Sequence, residues 1–294
     1  MAATPLLDRD FLERLERLTI HWQKSFAGLV GGHNKSRLPG AGQEFLDHRH
    51  FHSGDDLRSV NWAAYMRLDK MFLKMFQVEP RVPVRMLVDV SASMTAYGAT
   101  KFDYARKLAA ALCYVGLVRL DTIEVHSFSN HLGHRIASSG GRQRFHGVME
   151  RLAALEPEGP TDYMGITREF IGSYKQRGLV VIISDFLDDK GCERSLQYLA
   201  DYGHELMLLQ LWTDEDRTPP WSGELELQDA ETGAALKLDF DDEARRRYTH
   251  AFDEYAATIQ SMAHRSLGRY AGVSTSQPLD SIIFGDMVRM RGIA

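Results

Sequence analysis

Two of the most apolar runs in the chain end in an aspartate. Val84-Arg85-Met86-Leu87-Val88-Asp89 continues as Val90-Ser91-Ala92-Ser93, and Leu179-Val180-Val181-Ile182-Ile183-Ser184 stops at Asp185. Alternate polar residues leaving a strand can converge on one point, which gathers the carboxylate of Asp89 and the hydroxyls of Ser91 and Ser93. Thr161, with Asp162 beside it as the alternative donor, and Asp185 come from other loops and complete an all-oxygen set. Asp185 either ligates directly, acts through water or braces the site from behind. Such donors suit a hard cation, Mg²⁺ foremost, with Mn²⁺ and Ca²⁺ as alternatives. Hydroxyls add little charge, so a bound ion stays electrophilic and can take a carboxylate from another molecule.

Two other readings use the same residues. A Mg²⁺-dependent hydrolase or phosphatase would use Asp89 as nucleophile. It would usually carry a second aspartate two residues on, where this chain has Ser91, and no general base is evident. The plainer reading is a polar turn in which Ser and Asp cap helices.

The surrounding elements place these residues at one edge of a sheet. Residues 84–90, 122–128, 179–185 and 205–211 read as strands. Helical patterns at residues 101–120, 147–155, 163–174 and 192–202 alternate with them. That order predicts an α/β fold, a doubly wound and mostly parallel sheet with helices on both faces. In such sheets ligands sit beyond the carboxyl ends of the strands, where both aspartates lie. Residues 6–26 read as an amphipathic helix, 28–42 as a loop and 69–79 as a strand. Farther on, residues 225–227 and 235–238 flank a hairpin turn, 241–266 form a long helix, and the tail from Tyr270 is irregular until a short helix over 281–290. The expected division is residues 1–80, an N-terminal helix with a small β-containing module, and residues 81–294, the α/β domain with a C-terminal hairpin and helices.

With 294 residues, 44% hydrophobic and 26% charged, the composition is that of a soluble globular protein. The net charge of −5 gives no global basic field for nucleic acid or anionic membrane. Cys113 and Cys192 form no C-x-x-C pair, and Cys113 lies in an apolar run, as a buried thiol would. Residues 1–14 hold Asp8, Asp10 and Glu13 and no apolar leader core. No stretch reaches the roughly 18 uncharged apolar residues of a membrane span. The expectation is a cytoplasmic protein. Walker A, G-x-G-x-x-G, G-x-S-x-G and H-E-x-x-H patterns are all missing.

Asp89-x-Ser91-x-Ser93, then Thr161, then the strand-terminal Asp185 resemble the metal-ion-dependent adhesion site of von Willebrand factor A domains. Upstream lie Gly40-Ala41-Gly42-Gln43-Glu44-Phe45, Arg49-His50-Phe51-x-x-Gly54-Asp55-Asp56-x-Arg58, Asn61-Trp62 and Lys74-x-Phe76-x-x-Glu79. These resemble the domain-of-unknown-function-58 family, in which such a module leads into the Asp-x-Ser-x-Ser strand. One departure is Val60-Asn61-Trp62, where that family commonly has Ile-Asp-Trp. The resemblance implies a von Willebrand factor A-like domain and a bacterial interaction protein rather than an enzyme. It also implies an adaptor or chaperone-like role beside a MoxR-type AAA+ ATPase, with a client that it does not name.

Within the module, Gly54-Asp55-Asp56-Leu57-Arg58 reads as a buried structural network, with a second acidic site as the alternative. In that network Asp55 or Asp56 accepts turn amides and pairs with Arg49 or Arg58, locking the module onto the sheet. His48, His50 and His52 alternate along the chain; they read as members of hydrogen-bond networks, with metal binding as the alternative. Lys35, Arg37, Arg49 and Arg58 make the segment locally basic, which suits an acidic partner or internal pairing better than nucleic acid.

Overall fold

Strands covered on both faces are apolar on both sides apart from side chains that find partners, and the two aspartate-terminated runs meet that demand, Arg85 pairing with Glu124. In the computed structural model, which describes residues 6–21, 36–39, 44–78, 82–119, 121–138, 141–188, 191–228 and 233–293, both runs are buried along their whole length. The chain divides into two compact units, one formed by Lys24–Val82 and the other by the remainder.

The smaller unit is a three-stranded antiparallel sheet of β1 (Ser36–Pro39), β2 (Glu44–His50) and β3 (Phe72–Val78), in the order β1-β3-β2. Between β2 and β3 lies α2 (Trp62–Leu68), a helix that the sequence reading did not contain. Asn61 starts it by accepting from the Ala64 amide at 3.2 Å, and Asp69 ends it at φ 49°. Arg49 grips Asp55 through two bonds of 2.7 and 2.9 Å, Asp55 also accepts from the His52 amide, and Asp56 holds Arg58. This is the internal network expected of those residues. His48 and His50 lie beside the Phe72 ring, with centroids at 6.2 and 4.7 Å. The quoted motif residues Gly40 to Gln43 and Glu79 lie outside the described residues.

The larger unit is built on a six-stranded sheet. Its strands are β4 (Val84–Asp89), β5 (Ile123–Phe128), β6 (Ile136–Ser138), β7 (Leu179–Ser184), β8 (Glu205–Trp212) and β11 (Arg269–Ser274), ordered β11-β8-β7-β4-β5-β6. Five strands are parallel, and β6 returns antiparallel on β5. Side chains alternate between faces with the two-residue period of a strand. Leu179, Val181 and Ile183 therefore join one core and Val180 and Ile182 the other. The first core is roofed by α1 (Arg9–Leu15), α3 (Ala96–Val118) and α4 (Phe145–Ala153). The second is roofed by α5 (Tyr163–Ser173), α6 (Glu193–Asp201) and α8 (Asp242–Arg265). The doubly wound α/β architecture is thus as expected. From β4 the chain moves outward to β5 and later returns to β7 on the other side, so the strand order reverses between β4 and β7. Crevices form at that point in open α/β sheets.

Several elements differ from the sequence reading. α1 covers only part of the expected 6–26 helix. Its buried Phe11 and Leu15, with Leu7 just ahead of it, lie in the first core, so it groups with the larger unit and not with the module. Asp8 caps it, accepting from the Phe11 amide at 2.7 Å, and Ile20 then bridges to Ile293; residues 22–26 lie outside the described residues. The tail contains β11, which was read as irregular. Gly272 disguises this strand, and a side chain there would meet the Trp212 ring 2.2 Å away. The C-terminal part of the chain holds α7 (Asp214–Arg217), the hairpin β9 (Gly223–Gln228) and β10 (Ala235–Phe240), and α9 (Leu279–Ser281). A π turn (Ile282–Asp286) then leads into α10 (Met287–Arg289).

Candidate functional site

At the end of β4, Oδ1 of Asp89 accepts the Ser91 amide at 2.8 Å, and this turn brings the hydroxyls of Ser91 and Ser93 to 3.0 Å of each other. The chain then passes through a 3-10 turn, Ala92–Thr95, into α3. Backbone bonds hold the Thr161 loop beside this turn. Glu158 N donates to Val90 O at 2.6 Å, Ala92 N to Gly159 O at 2.9 Å, and Asp162 N to Ser129 O at 3.0 Å. Asp162 uses its carboxylate to cap α5, accepting from the Gly165 amide at 3.0 Å. That engagement occupies the Asp162 carboxylate at the start of α5. The structure therefore brings Asp89, Ser91, Ser93 and the Thr161 loop together.

Asp89 is fully buried, and no cationic side chain among the described residues forms an ion pair with it. Its Oδ2 accepts from Ser184 Oγ at 2.5 Å and from the Tyr163 hydroxyl at 3.5 Å. Tyr163 and Ser184 are themselves 2.5 Å apart, and Ser184 Oγ also accepts the Phe186 amide at 2.8 Å. The Tyr163 ring meets Phe128 edge-on and lies parallel to Phe186, sealing the carboxylate in an aromatic shell. Burial, and then the negative charge of Asp185, push the Asp89 carboxyl up to about 7 despite its hydrogen bonds.

Asp185, at the end of β7, has a different setting. Its Oδ2 takes the Lys101 ammonium at 2.9 Å, and its Oδ1 takes the Leu187 amide at 3.1 Å. Lys101, from α3, is 1% exposed and also reaches Asp216 of α7 at 3.2 Å. Burial alone would depress this ammonium; the two carboxylates outweigh it and hold its pKa above the ordinary value. Asp216 is fixed in turn by a capping box with Thr213. Phe186, next to Asp185, sits at φ 59°, a left-handed conformation that strains a bulky residue by about 1–3 kcal/mol. Backbone strain of this kind concentrates at functional sites.

The donor chemistry fits a hard cation. It is made wholly of oxygen and includes a buried carboxylate whose charge nothing among the described residues neutralises. Asp185 stands behind this set with Lys101 already on it. The sequence reading missed Lys101, Tyr163, Ser184 and Asp216. Ser184 was legible only as the neighbour of Asp185, and Lys101 looked like an ordinary first-turn lysine of an amphipathic helix.

Residues 47–258 match the family described as "Protein of unknown function DUF58". The chain belongs to that family. The chain is similar to an uncharacterized protein of Mycobacterium tuberculosis, 26% identical over 251 residues, which covers 83% of this chain and 78% of the relative. Among solved structures, this DUF58 chain is similar to the conserved hypothetical protein BatB from Bacteroides thetaiotaomicron. That match has a TM-score of 0.42 and 14% identity over 71% of this chain and 98% of BatB. It is also similar to proximal thread matrix protein 1 from the mussel byssus, solved with a zinc-occupied MIDAS motif. Here the TM-score is 0.41 and the identity 9%, over 69% of this chain and 46% of the mussel protein.

Proposed function

We propose that this DUF58 protein is a metal-dependent protein-interaction module in which Asp89, Ser91, Ser93 and Thr161 hold Mg²⁺. The observation that carries this reading is Asp89 itself: a carboxylate with no ion-pair partner, sealed from water next to two converging hydroxyls. Leaving a charge buried and unpaired is costly, and a bound cation removes the cost. The same donors would accept Mn²⁺ or Ca²⁺. When bound, the ion supplies an electrophilic centre for a carboxylate of a partner protein.

The chain's own residues prepare that centre. Ser184 and Tyr163 orient Asp89, and the Ser91 amide fixes its other oxygen. Lys101 neutralises Asp185, so only one carboxylate is left to quench the ion's charge. These features argue against the hydrolase reading. Ser91 stands where a second carboxylate would be needed. We therefore read the protein as an adaptor or chaperone-like component, not an enzyme. Its proposed partners are a MoxR-type AAA+ ATPase and a client with an acidic side chain, and its proposed compartment is the cytoplasm. The ATPase and the compartment rest on the resemblance of the Asp89 to Ser93 turn and its upstream module to the family. No helix of the described residues is long and apolar enough to cross a membrane.

The test compares thermal stability and partner pull-down in Mg²⁺ and in EDTA, for the wild type and Asp89→Ala. The wild type alone is expected to respond to Mg²⁺ in both assays. If Mg²⁺ alters neither, the reading fails. Phosphatase turnover that disappears in Asp89→Asn would establish the hydrolase instead.

A further inference from the structure

Beside the Asp89 turn lies a cleft of about 380 Å³, and it shares a wall with the Thr161 loop. Val90 and Glu158, joined by their 2.6 Å backbone bond, form that wall. The opposite side is the turn between β5 and β6, pinned by Gly133 N donating to Ser127 O at 2.8 Å and by Leu132 N donating to Glu169 at 3.0 Å. Phe128, Ile136 and Leu155 make the cleft's interior apolar, while His134, Arg135 and Arg151 place basic groups on its lining.

Three observations bear on what fills it. Arg135 is committed to Glu124 at 3.0 Å, but Arg151 and His134 form no hydrogen bond or ion pair among the described residues. Ser129, 1% exposed and in the cleft lining, has a hydroxyl with no hydrogen-bond partner among the described residues. A buried hydroxyl left unpaired is unfavourable by about 1–3 kcal/mol, so a ligand that satisfied it would bind more tightly. The chain as a whole carries −5, which disfavours a long polyanion. In the lining, Arg135 and Arg151 stand against the single carboxylate of Glu158, and Glu124, which pairs with Arg135, already serves Arg85. The local excess of basic groups therefore attracts a short acidic stretch.

We propose that this cleft reads the residues flanking the metal-bound carboxylate of the partner. The occupant is a short acidic segment of a protein. It sets an apolar side chain against Phe128 and Leu155, gives Ser129 a backbone partner and places a second carboxylate at Arg151 and His134. The proposal rests on the metal-dependent interaction reading and adds the partner's local chemistry to it. Nucleic acid is the less suitable occupant, because the lining offers no exposed Phe, Tyr or Trp ring on which bases could stack.

The experiment is fluorescence anisotropy in Mg²⁺ with a labelled peptide, aspartate–leucine–glutamate–glutamate. The controls are a peptide with lysines in place of the glutamates and a single-stranded DNA oligonucleotide. Arg151→Glu is expected to weaken the acidic peptide about tenfold while the Mg²⁺-induced rise in thermal stability stays intact. Arg144→Glu makes the same charge change outside the cleft lining and is expected to have little effect. Ser129→Ala is expected to weaken the peptide about threefold without lowering stability, since its hydroxyl supports nothing in the free protein. Equal effects of Arg151→Glu and Arg144→Glu overturn the proposal, as does equal binding of the lysine peptide or tighter binding of the oligonucleotide. An intact Mg²⁺ response with no effect of Arg151→Glu rejects the cleft and spares the metal site. No Mg²⁺ response with peptide binding still weakened by Arg151→Glu rejects the metal site and supports the cleft.

Discussion

β4 and β7 are neighbours in the sheet and both are buried throughout; β4 ends in the buried Asp89, and the buried Asp185 directly follows β7. Their chemistry diverges at those aspartates. Asp185 meets a lysine ammonium at 2.9 Å, and Asp89 meets only hydroxyls and an amide. The fold neutralises one strand end with its own side chain and leaves the other to a cation from outside. A buried carboxylate therefore says little about a site until its counter-charge is located.

The largest test of this contrast removes the internal cation. Lys101→Met strands Asp185 and Asp216, and the urea midpoint should fall by the equivalent of about 3–5 kcal/mol. Combining it with Asp185→Asn should restore part of the loss, and a negligible effect would dissolve the contrast. Next is the external cation. Mg²⁺ at about 100 times its dissociation constant should raise stability by about 2.7 kcal/mol, with EDTA reversing it and Ser91→Ala abolishing it.

A smaller but sharper test makes one chemical change at both strand ends. In metal-free buffer at pH 8, Asp89→Asn should gain about 1 kcal/mol and Asp185→Asn should lose about as much. The sign at Asp89 follows from its carboxyl being raised to about 7 from an ordinary 3.8, so that between those values the folded state holds a proton the unfolded state has released. Metal-free stability should accordingly decline as pH rises through that window, and denaturation curves of Asp89→Asn should lack that slope. The smallest effect is that of Tyr163→Phe, which takes one neutral donor from the Asp89 end. It should lower thermal stability by roughly 0.5–1 kcal/mol and leave the Lys101 clamp untouched.

What could be read in advance follows from how local each feature is. The strands and the turn at Asp89, Ser91 and Ser93 were legible, because a continuous apolar run followed by small polar residues is written in consecutive positions. Lys101 was not, because its partners come from β7 and α7, 84 residues away in the case of Asp185. β11 escaped notice because Arg269 and Gly272 break the apolar pattern. Arg269 satisfies its charge on Glu205 at 2.5 Å, and Gly272 makes room for Trp212. α2 was missed because Asn61 was read for its departure from a family motif and not as the cap that it is.

Ser184 has one proton to give, and three neighbours stand within hydrogen-bonding distance of its oxygen. The Phe186 amide can only donate to it. An ionised Asp89 can only accept, so the serine proton goes to the carboxylate, and the Tyr163 hydroxyl shares its proton between Ser184 Oγ at 2.5 Å and Asp89 Oδ2 at 3.5 Å. Protonating Asp89 opens a second arrangement, in which the carboxyl donates to Ser184 and the phenol accepts. The direction of the chain Tyr163–Ser184–Asp89 is then a two-position gauge of charge at the end of β4. Its dial is the Tyr163 ring, whose near-ultraviolet absorption changes with the role of its hydroxyl and is isolated as the difference between the wild type and Tyr163→Phe.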